Sequence, residues 1–241
     1  MSPENTAVRL YERKKIVKAL SLFKQILHKD PSNLTAHFYL GLIHLGRKRY
    51  KKALQHAMYV KRVNPCEQNI HLNLGCIHEK MGKINEAIKY YKKELILNPE
   101  CPEALFNVGK ALFKKRQFKR AIHYLEKCLQ LKHSFDDVVV DLAFCYNKTR
   151  QIEKEIDLYK KCLQTNPSDS WCLQNLGAAL CDVANYRRAL YYLKRAKRLE
   201  PRQPIIDRNL KKAARALEKN VKRVNPKNKT GNRINPIIRE R

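Results

Sequence analysis

The amino-acid sequence predicts an all-α protein built from repeats, and three observations support this prediction. Prolines recur at multiples of 34 residues, at Pro31, Pro65, Pro99, Pro167 and Pro201. Each interval contains two amphipathic runs of about 14 residues, such as Leu34 to Gly46 and Lys48 to Val63, which is the pattern of paired helices. Only 7 glycines and 10 prolines interrupt 241 residues, of which 44% are apolar, and this composition favours a folded helical chain over a disordered one.

Small and bulky residues recur in the same register. Small residues stand at Gly41, Gly75, Gly109, Ala143 and Gly177, and alanine stands again at Ala19, Ala53, Ala87, Ala121 and Ala189. Three residues before the alanine column lie the bulky Ile16, Tyr50, Ile84, Phe118, Ile152 and Tyr186. Because a glycine inside a helix costs about 1 kcal/mol relative to alanine, its recurrence at one position indicates two closely approaching helices. The recurrent Asn-Pro at Asn64, Asn98 and Asn166 ends each second helix, since a residue before proline avoids the α region.

These residues resemble the tetratricopeptide repeat (TPR) family, whose 34-residue helix-turn-helix unit carries Leu-Gly early, Ala and Phe or Tyr in its second helix, and a closing Pro. The resemblance covers residues 2–202 as six repeats. It implies a right-handed TPR solenoid in which the first helices line a concave groove and the second helices lie outside. Residues 203–223 carry an apolar stripe and are expected to form a C-terminal capping helix, whereas residues 224–241 are expected to form a flexible basic tail.

One repeat departs from the pattern. Between Ser134 and Pro167 the column glycine is Ala143, the column alanine is Glu155 and the preceding proline is His133. A glutamate in a packing position must either swing outward or pair with a neighbour. We expect a slightly splayed repeat, with a hinge or binding determinant as the alternative. Unless Glu155 has a partner, Glu155→Ala is expected to stabilise the chain by roughly 1 kcal/mol.

Charge, hydropathy and cysteine content limit the kinds of protein that this sequence can encode. The chain has 51 Lys and Arg against 22 Asp and Glu, a net charge of +29, which favours acidic proteins, nucleic acid or anionic lipid on approach. No stretch approaches the roughly 20 apolar residues of a membrane span and the N-terminus lacks a signal-peptide pattern, so we expect a soluble, cytoplasmic protein. The eight cysteines contain no C-x-x-C pair. We therefore expect free, buried thiols in a reducing compartment and no metal knuckle.

No pattern in the sequence points to catalysis. A phosphate-binding glycine loop, an H-E-x-x-H segment and a nucleophile elbow are all missing, so we predict no enzymatic activity and no cofactor. His37 with His44, and His71 with His78, are each seven residues apart and share a helical face, which permits metal binding. Other repeats hold leucines at the same positions, and packing rather than a metal site is therefore the prediction.

The predicted binding residues lie along the first helices. Asn73, Asn107 and Asn175 stand two residues before the small-residue column, and an amide can grip a peptide backbone through its donor and acceptor. This pattern is similar to the asparagine ladder in the TPR superhelix of O-linked N-acetylglucosamine transferase, although Tyr39 and Asp141 replace asparagine in two of the repeats. The alternative is that Asn-Leu-Gly is merely common in TPR sequences. By the resemblance, the groove is lined by Phe38, Leu42, Leu72, Cys76, Phe106, Lys110, Phe113, Phe144, Asn147 and Trp171. Such a lining suits an extended peptide with apolar anchors and some acidic character, unless the rings pack between repeats.

Basic pairs also repeat, at Lys51 and Lys52, Lys119 and Arg120, and Arg187 and Arg188. They indicate either a solvated face or a basic ridge. The prediction is a non-enzymatic adaptor or scaffold that binds an extended protein segment in the concave groove. The alternative is a polyanion-binding module that holds RNA, DNA or an anionic membrane on the basic ridge and tail. Chaperone C-terminal tails are not expected partners, because no first helix presents the Lys and Asn pattern of a carboxylate clamp.

Overall fold

A computed structural model describes residues 2–67, 69–131 and 136–224, without the side chains of Asp136, Lys222 and Val224. The described residues form thirteen α-helices and no strand, which confirms the all-α prediction. The helices are α1 Pro3–Glu12, α2 Ile16–Lys29, α3 Leu34–Gly46, α4 Tyr50–Val63, α5 Ile70–Lys80, α6 Ile84–Leu97, α7 Pro102–Lys114, α8 Phe118–Gln130, α9 Asp136–Lys148, α10 Ile152–Thr165, α11 Ser170–Asp182, α12 Tyr186–Leu199 and α13 Pro204–Val224. His133 and the predicted tail from residue 225 onward lie outside the described residues.

Consecutive helices pack as hairpins, namely α1 with α2, α3 with α4, α5 with α6, α7 with α8 and α11 with α12. We call α1, α3, α5, α7, α9 and α11 the first helices, and α2, α4, α6, α8, α10 and α12 the second helices. Second helices also pack on the first helix of the following hairpin, as α4 does on α5 and α6 on α7. The chain divides into two compact units, an N-terminal unit Met1–Cys145 and a C-terminal unit Tyr146–Arg241. None of the described helices is long and apolar enough to cross a membrane.

Each hairpin turns through one residue with a left-handed backbone. These residues are spaced by 34 and have φ between 56° and 77°: Lys14, Lys48, Gly82, Arg116, Arg150 and Ala184. The following amide then reaches back to the last turn of the first helix, as Arg49 N does to His44 O at 2.8 Å. This is a helix-capping turn that favours glycine, because a Cβ is strained in the left-handed region. Five of these six turns carry that strain, and Gly82 avoids it.

The small-residue column lies where the two helices of a hairpin cross. A Cβ added at Gly75 would lie 2.3 Å from Cε1 of Tyr91, and one added at Gly109 would lie 2.6 Å from Cδ2 of Leu125. At Gly41 the nearest atom is 3.6 Å away, an ordinary contact. The predicted steric demand is therefore confirmed at Gly75 and Gly109, and it is wrong for Gly41.

The alanine column forms the inner edge of the second helices. Its members Ala19, Ala53, Ala87, Ala121 and Ala189 are each 0% exposed. The column therefore packs as predicted, and the small side chains let each second helix approach its partner. In the described C-terminal unit, α13 packs on α11 and α12 and buries Ile206 and Ala213.

The carboxylate of Glu79 links two adjacent hairpins through polar contacts. Tyr91, on α6, is 0% exposed, and its hydroxyl donates to Oε2 of Glu79 on α5 at 2.9 Å. Lys114, on α7, donates to the other oxygen of Glu79 at 2.5 Å. Burial acts to raise the pKa of Glu79, but the hydrogen bonds from Lys114 and Tyr91 outweigh it and hold the pKa below its ordinary value. The carboxylate therefore stays charged and joins the second helix of its own hairpin to the first helix of the next.

Candidate functional site

A cavity of about 590 Å³ opens on the first helices of the N-terminal unit. It is lined by residues of α1, α3, α5 and α7 and by the turns beside α5 and α7: Tyr11, Glu12, Phe38, Tyr39, Leu42, Asn69, Leu72, Asn73, Asn98, Cys101, Pro102 and Glu103. Four predicted groove residues therefore meet here, namely Phe38, Leu42, Leu72 and Asn73. The other lining residues were not predicted, because most of them lie in helix ends and turns where no repeating pattern marked them.

Aromatic rings fix one wall of this cavity. Tyr39 stacks on the buried Phe23, with ring centroids 5.2 Å apart, and Tyr11 approaches Tyr39 edge-on at 5.1 Å. Phe38 also contacts Tyr39 edge-on, at 5.5 Å. Burial, followed by the nearby charge of Glu12, raises the pKa of Tyr39, so its hydroxyl remains protonated and able to donate. The position that interrupts the asparagine ladder thus supplies a rigid apolar surface with a polar tip.

A buried carboxylate holds the next wall in place. Asn69, which precedes α5, has a left-handed backbone and makes no side-chain cap. Instead Oε2 of Glu94, on α6, accepts a hydrogen bond from the backbone N–H of Leu72 at 3.2 Å. Glu94 is 3% exposed, and burial raises its pKa. This carboxylate therefore caps α5 from a neighbouring helix and positions Leu72 and Asn73 at the cavity.

The three ladder asparagines have different surroundings. The side chain of Asn73 lines the cavity and makes no hydrogen bond to a described residue. The amide of Asn107 lies 3.9 Å from Sγ of Cys76. The amide of Asn175, in the C-terminal unit, donates to the carbonyl of Trp171 in its own helix at 2.8 Å. Of the three, Asn73 is best placed to bind a ligand.

The remaining groove residues of the N-terminal unit form two aromatic groups. The ammonium of Lys110 lies over the ring of Phe106, 5.1 Å from its centroid. Phe113 packs edge-on against Phe144 at 5.2 Å and near Phe118 at 5.9 Å. Phe144 is nonetheless 43% exposed, so this second group presents apolar surface to solvent.

The glutamate of the irregular repeat is buried and hydrogen-bonded. In the C-terminal unit Glu155 is 6% exposed, and it accepts hydrogen bonds from Nδ2 of Asn147 at 3.2 Å and from the hydroxyl of Tyr159 at 3.4 Å. Burial raises the pKa of Glu155. The expectation that Glu155→Ala stabilises the chain is therefore replaced, because the glutamate has two partners. Asn147, a predicted groove residue, uses its amide for this contact, while Trp171 lies edge-on to Tyr159 at 5.6 Å and is 39% exposed.

The cysteine prediction needs correction. Cys162 and Cys172 form a disulfide with a Cα–Cα distance of 6.7 Å, so not all eight cysteines are free. The turn between α10 and α11 brings together two residues that are ten apart in sequence. Asp169 lies beside them, and these three residues are the one group among the described residues whose donor atoms lie close enough for a shared metal ion, but two sulfurs joined in a disulfide are not thiolate ligands. Of the free cysteines, Cys66 is exposed rather than buried.

The histidine pairs pack as predicted. Nδ1 of His37 lies 2.9 Å from Nδ1 of His56, and the ring of His44 stacks on His56 at 5.6 Å. His71 and His78 both stack on the ring of Tyr90. Burial is the largest cause that lowers the pKa values of His44, His56, His71 and His78. These rings are therefore neutral parts of the interior.

Charge separates sharply between the two classes of helix. The second helices contain 22 Lys or Arg and 6 Asp or Glu, a net charge of +16, whereas the first helices contain 5 and 8, a net charge of −3. The basic-ridge residues Lys51, Lys52, Lys119, Arg120, Arg187 and Arg188 all lie on second helices and are exposed. Among the described residues that line the cavity there is no Lys or Arg, and there are two carboxylates, those of Glu12 and Glu103. The positive field of the protein therefore does not come from the cavity.

Comparison with known proteins shows which repeats these are. Sequence profiles of the tetratricopeptide repeat match residues 6–60, 69–101, 102–134 and 158–191. No curated protein matches the chain.

Solved structures share the fold. The C-terminal part of a TPR repeat-containing protein from Cytophaga hutchinsonii matches with a TM-score of 0.72 and 18% identity, covering 95% of this chain and 97% of that one. YrrB, a TPR protein with an unusual peptide-binding site, matches with a TM-score of 0.67 and 15% identity over 78% of this chain and 97% of its own. MamA matches with a TM-score of 0.62 and 24% identity over 70% and 92%. At these identities the similarity shows a common helical repeat solenoid.

Proposed function

Because the chain belongs to the tetratricopeptide repeat family, we propose that it is a non-enzymatic adaptor that binds an extended segment of another protein along its first helices. The observation that carries this proposal is the cavity of the N-terminal unit, where an apolar wall and the Asn73 amide face the same space. Membership of the family supports protein binding in general. The cavity supports a position for the segment along the first helices and indicates the chemistry that the segment would need.

The lining argues for one apolar side chain of the ligand as an anchor. Phe38, Leu42 and Leu72 are half-buried, so each still has apolar surface that a ligand can cover. Covering such surface contributes about 25 cal/mol per Å². The Asn73 amide can meanwhile donate to a backbone carbonyl and accept from a backbone N–H, which holds an extended segment without reading its side chains.

The charges at the cavity argue against an acidic segment. Glu12 and Glu103 line the cavity, and Lys110, the cation predicted in the groove, lies over Phe106 instead. A ligand carboxylate placed beside two carboxylates is repelled. We therefore expect neutral or basic residues around the apolar anchor, in place of the acidic character that the sequence favoured.

A peptide-display selection against the purified full chain tests the proposal. Selected peptides should share an apolar residue flanked by neutral or basic ones, and Asn73→Ala should weaken their binding about 2- to 13-fold, the loss of one hydrogen bond. Leu42→Arg should abolish binding. Ile96→Arg is the matched control, because this isoleucine is 78% exposed on a second helix. Peptides that bind all three variants equally would contradict the proposed site.

A further inference from the structure

A strip of tyrosines and cations crosses three second helices of the N-terminal unit. On α4, Arg62 lies over the ring of Tyr59 at 5.3 Å. On α6, Tyr90 has two cations over its ring, Lys61 of α4 at 5.5 Å and Lys93 at 5.9 Å. We call Tyr59, Tyr90 and Tyr124, with Lys61, Arg62, Lys92 and Lys93, the tyrosine strip.

The strip is continuous because cations reach from one helix to the ring on another. Lys61 joins α4 to Tyr90 of α6, and Lys92 of α6 lies over Tyr124 of α8 at 6.0 Å. The hydroxyl of Tyr90 also reaches back to Sδ of Met58 on α4, at 3.8 Å. The three rings and four cations therefore form one surface rather than three separate patches.

Histidines of the first helices hold two of the rings in place. His37 stacks on Tyr59 with centroids 4.0 Å apart, and His78 stacks on Tyr90 at 5.1 Å. All three tyrosines are half-buried. A ring that is already ordered loses little conformational freedom when a ligand stacks on it.

The cations of the strip are available for a ligand. None of the four forms an ion pair with a described residue, whereas Lys89 on the same helix as Lys92 is paired with Glu86 at 2.9 Å. On α4 there is no acidic residue at all. The cations contact the rings, and a phosphate can draw an ammonium group away from a ring because charge-assisted hydrogen bonds are stronger than an exposed cation–π contact.

Aromatic rings interleaved with unpaired cations are what single-stranded nucleic acid requires. Bases stack on the rings while the cations neutralise the phosphates between them. A duplex would hide its bases from the tyrosines, and an acidic protein would use the cations alone. We infer that the tyrosine strip is a binding surface for single-stranded nucleic acid, separate from the proposed peptide cavity on the first helices.

Fluorescence anisotropy with labelled oligo-U and oligo-dT of about 20 nucleotides tests this inference on the full chain. Changing Lys61, Arg62, Lys92 and Lys93 to Gln should weaken binding at least tenfold and flatten the dependence of log Kd on log salt by up to about 3, since each phosphate contact on a single strand contributes about 0.7. The control changes Arg187, Arg188, Lys194 and Arg198 on α12 to Gln, which removes the same charge. It should change affinity less than threefold.

A second set of variants tests the contribution of base stacking on the tyrosines. Tyr59→Leu with Tyr124→Leu should weaken binding at least about fivefold, whereas Tyr59→Phe with Tyr124→Phe should bind like the wild type, because the π-face is retained. Circular dichroism melting would establish that each variant is folded. Equal losses in the two charge variants, an unchanged affinity of the leucine variant, equal affinity for a duplex, or tighter binding to phosphatidylserine vesicles than to either oligonucleotide would each overturn the inference.

Discussion

Replacing Gly75 by alanine should destabilise the protein, whereas the same change at Gly41 should stabilise it, although both residues occupy the same position of the repeat. A Cβ at Gly75 would lie 2.3 Å from Cε1 and 2.4 Å from Cδ1 of Tyr91. These separations are more than 1 Å inside the roughly 3.5 Å at which carbon atoms attract each other best. At Gly41 the nearest atom is the carbonyl oxygen of Ala53 at 3.6 Å, which leaves room for a methyl group.

The structure also determines how large the change in the free energy of unfolding should be. Tyr91 cannot swing aside, because it is 0% exposed and its hydroxyl is bound to Glu79. Overpacking of this kind costs about 1–3 kcal/mol, while exchanging a helical glycine for alanine gains about 1 kcal/mol. Gly75→Ala should therefore lose up to about 2 kcal/mol of the free energy of unfolding. Gly41→Ala should gain about 1 kcal/mol, so the two variants should differ by about 1–3 kcal/mol.

Urea unfolding followed by far-UV circular dichroism measures this difference. Gly46→Ala serves as the control, because a Cβ at Gly46 would meet no atom within 4 Å. If Gly75→Ala proved as stable as Gly41→Ala, the ring of Tyr91 would have to move freely, and the argument from the rigid hydrogen-bonded tyrosine would be wrong.

Three further changes test other parts of the structure. Acidification from about pH 6.5 to pH 4 should destabilise the N-terminal unit by about 3 kcal/mol through His56 alone. In the folded protein, burial and the nearby His37 and His44 lower the pKa of His56 to about 4. The unfolded chain binds the same proton near pH 6.5, so acid favours the unfolded state. Glu155→Ala should lower the melting temperature, since a loss of about 1–3 kcal/mol follows when Asn147 and Tyr159 lose their buried acceptor. Reducing the disulfide should destabilise the C-terminal unit by about 3 kcal/mol, measured by hydrogen exchange of α10 and α11, because the bond closes a loop of ten residues.

Each of these predictions has a control in the chain. Between pH 6.5 and pH 4 the free energy of unfolding in urea should fall by about 3 kcal/mol less in His56→Gln than in the wild type, and an equal fall in both would assign the effect to other groups. Glu155→Gln keeps one acceptor oxygen for the Asn147 amide, and its NH2 group can donate to the hydroxyl oxygen of Tyr159, so this variant should be more stable than Glu155→Ala. A stabilised Glu155→Ala would contradict the pairing. Thiol titration of the unfolded, unreduced protein should find six of the eight cysteines free, and eight would exclude the disulfide.

Features that repeat in sequence were predictable, because each repeat meets the same steric requirement. The alanine column is buried at every described alanine position, and the glycines mark helix crossings. The exception at Gly41 arises from the partner helix: Ala57 stands there where the next hairpin has Tyr91. A column of single residues therefore predicts the position of a contact, but the size of the opposite side chain decides how tight the contact is.

Other features depend on contacts that no single pattern encodes. The left-handed turn residues repeat every 34 positions, yet Lys48, Arg116 and Ala184 share no chemistry that would reveal a common backbone. Likewise, the ten-residue spacing of Cys162 and Cys172 spans a helix end, a turn and a helix start, so no helical or repeat periodicity marks the pair. At the cavity, the sequence identified the apolar wall and Asn73 but not the carboxylates, which lie outside the periodic columns.

The hydrogen bonds that join Tyr91, Glu79 and Lys114 affect the order in which the solenoid unfolds. In repeat proteins, unfolding proceeds through the weakest interfaces, because stability is close to a sum of each repeat's own stability and its coupling to the nearest neighbours. A charged contact between α5 and α7 adds to the coupling of two successive repeats. The α5–α6 and α7–α8 hairpins should therefore melt as one cooperative block, and fraying from the N-terminal end should stop before it reaches them.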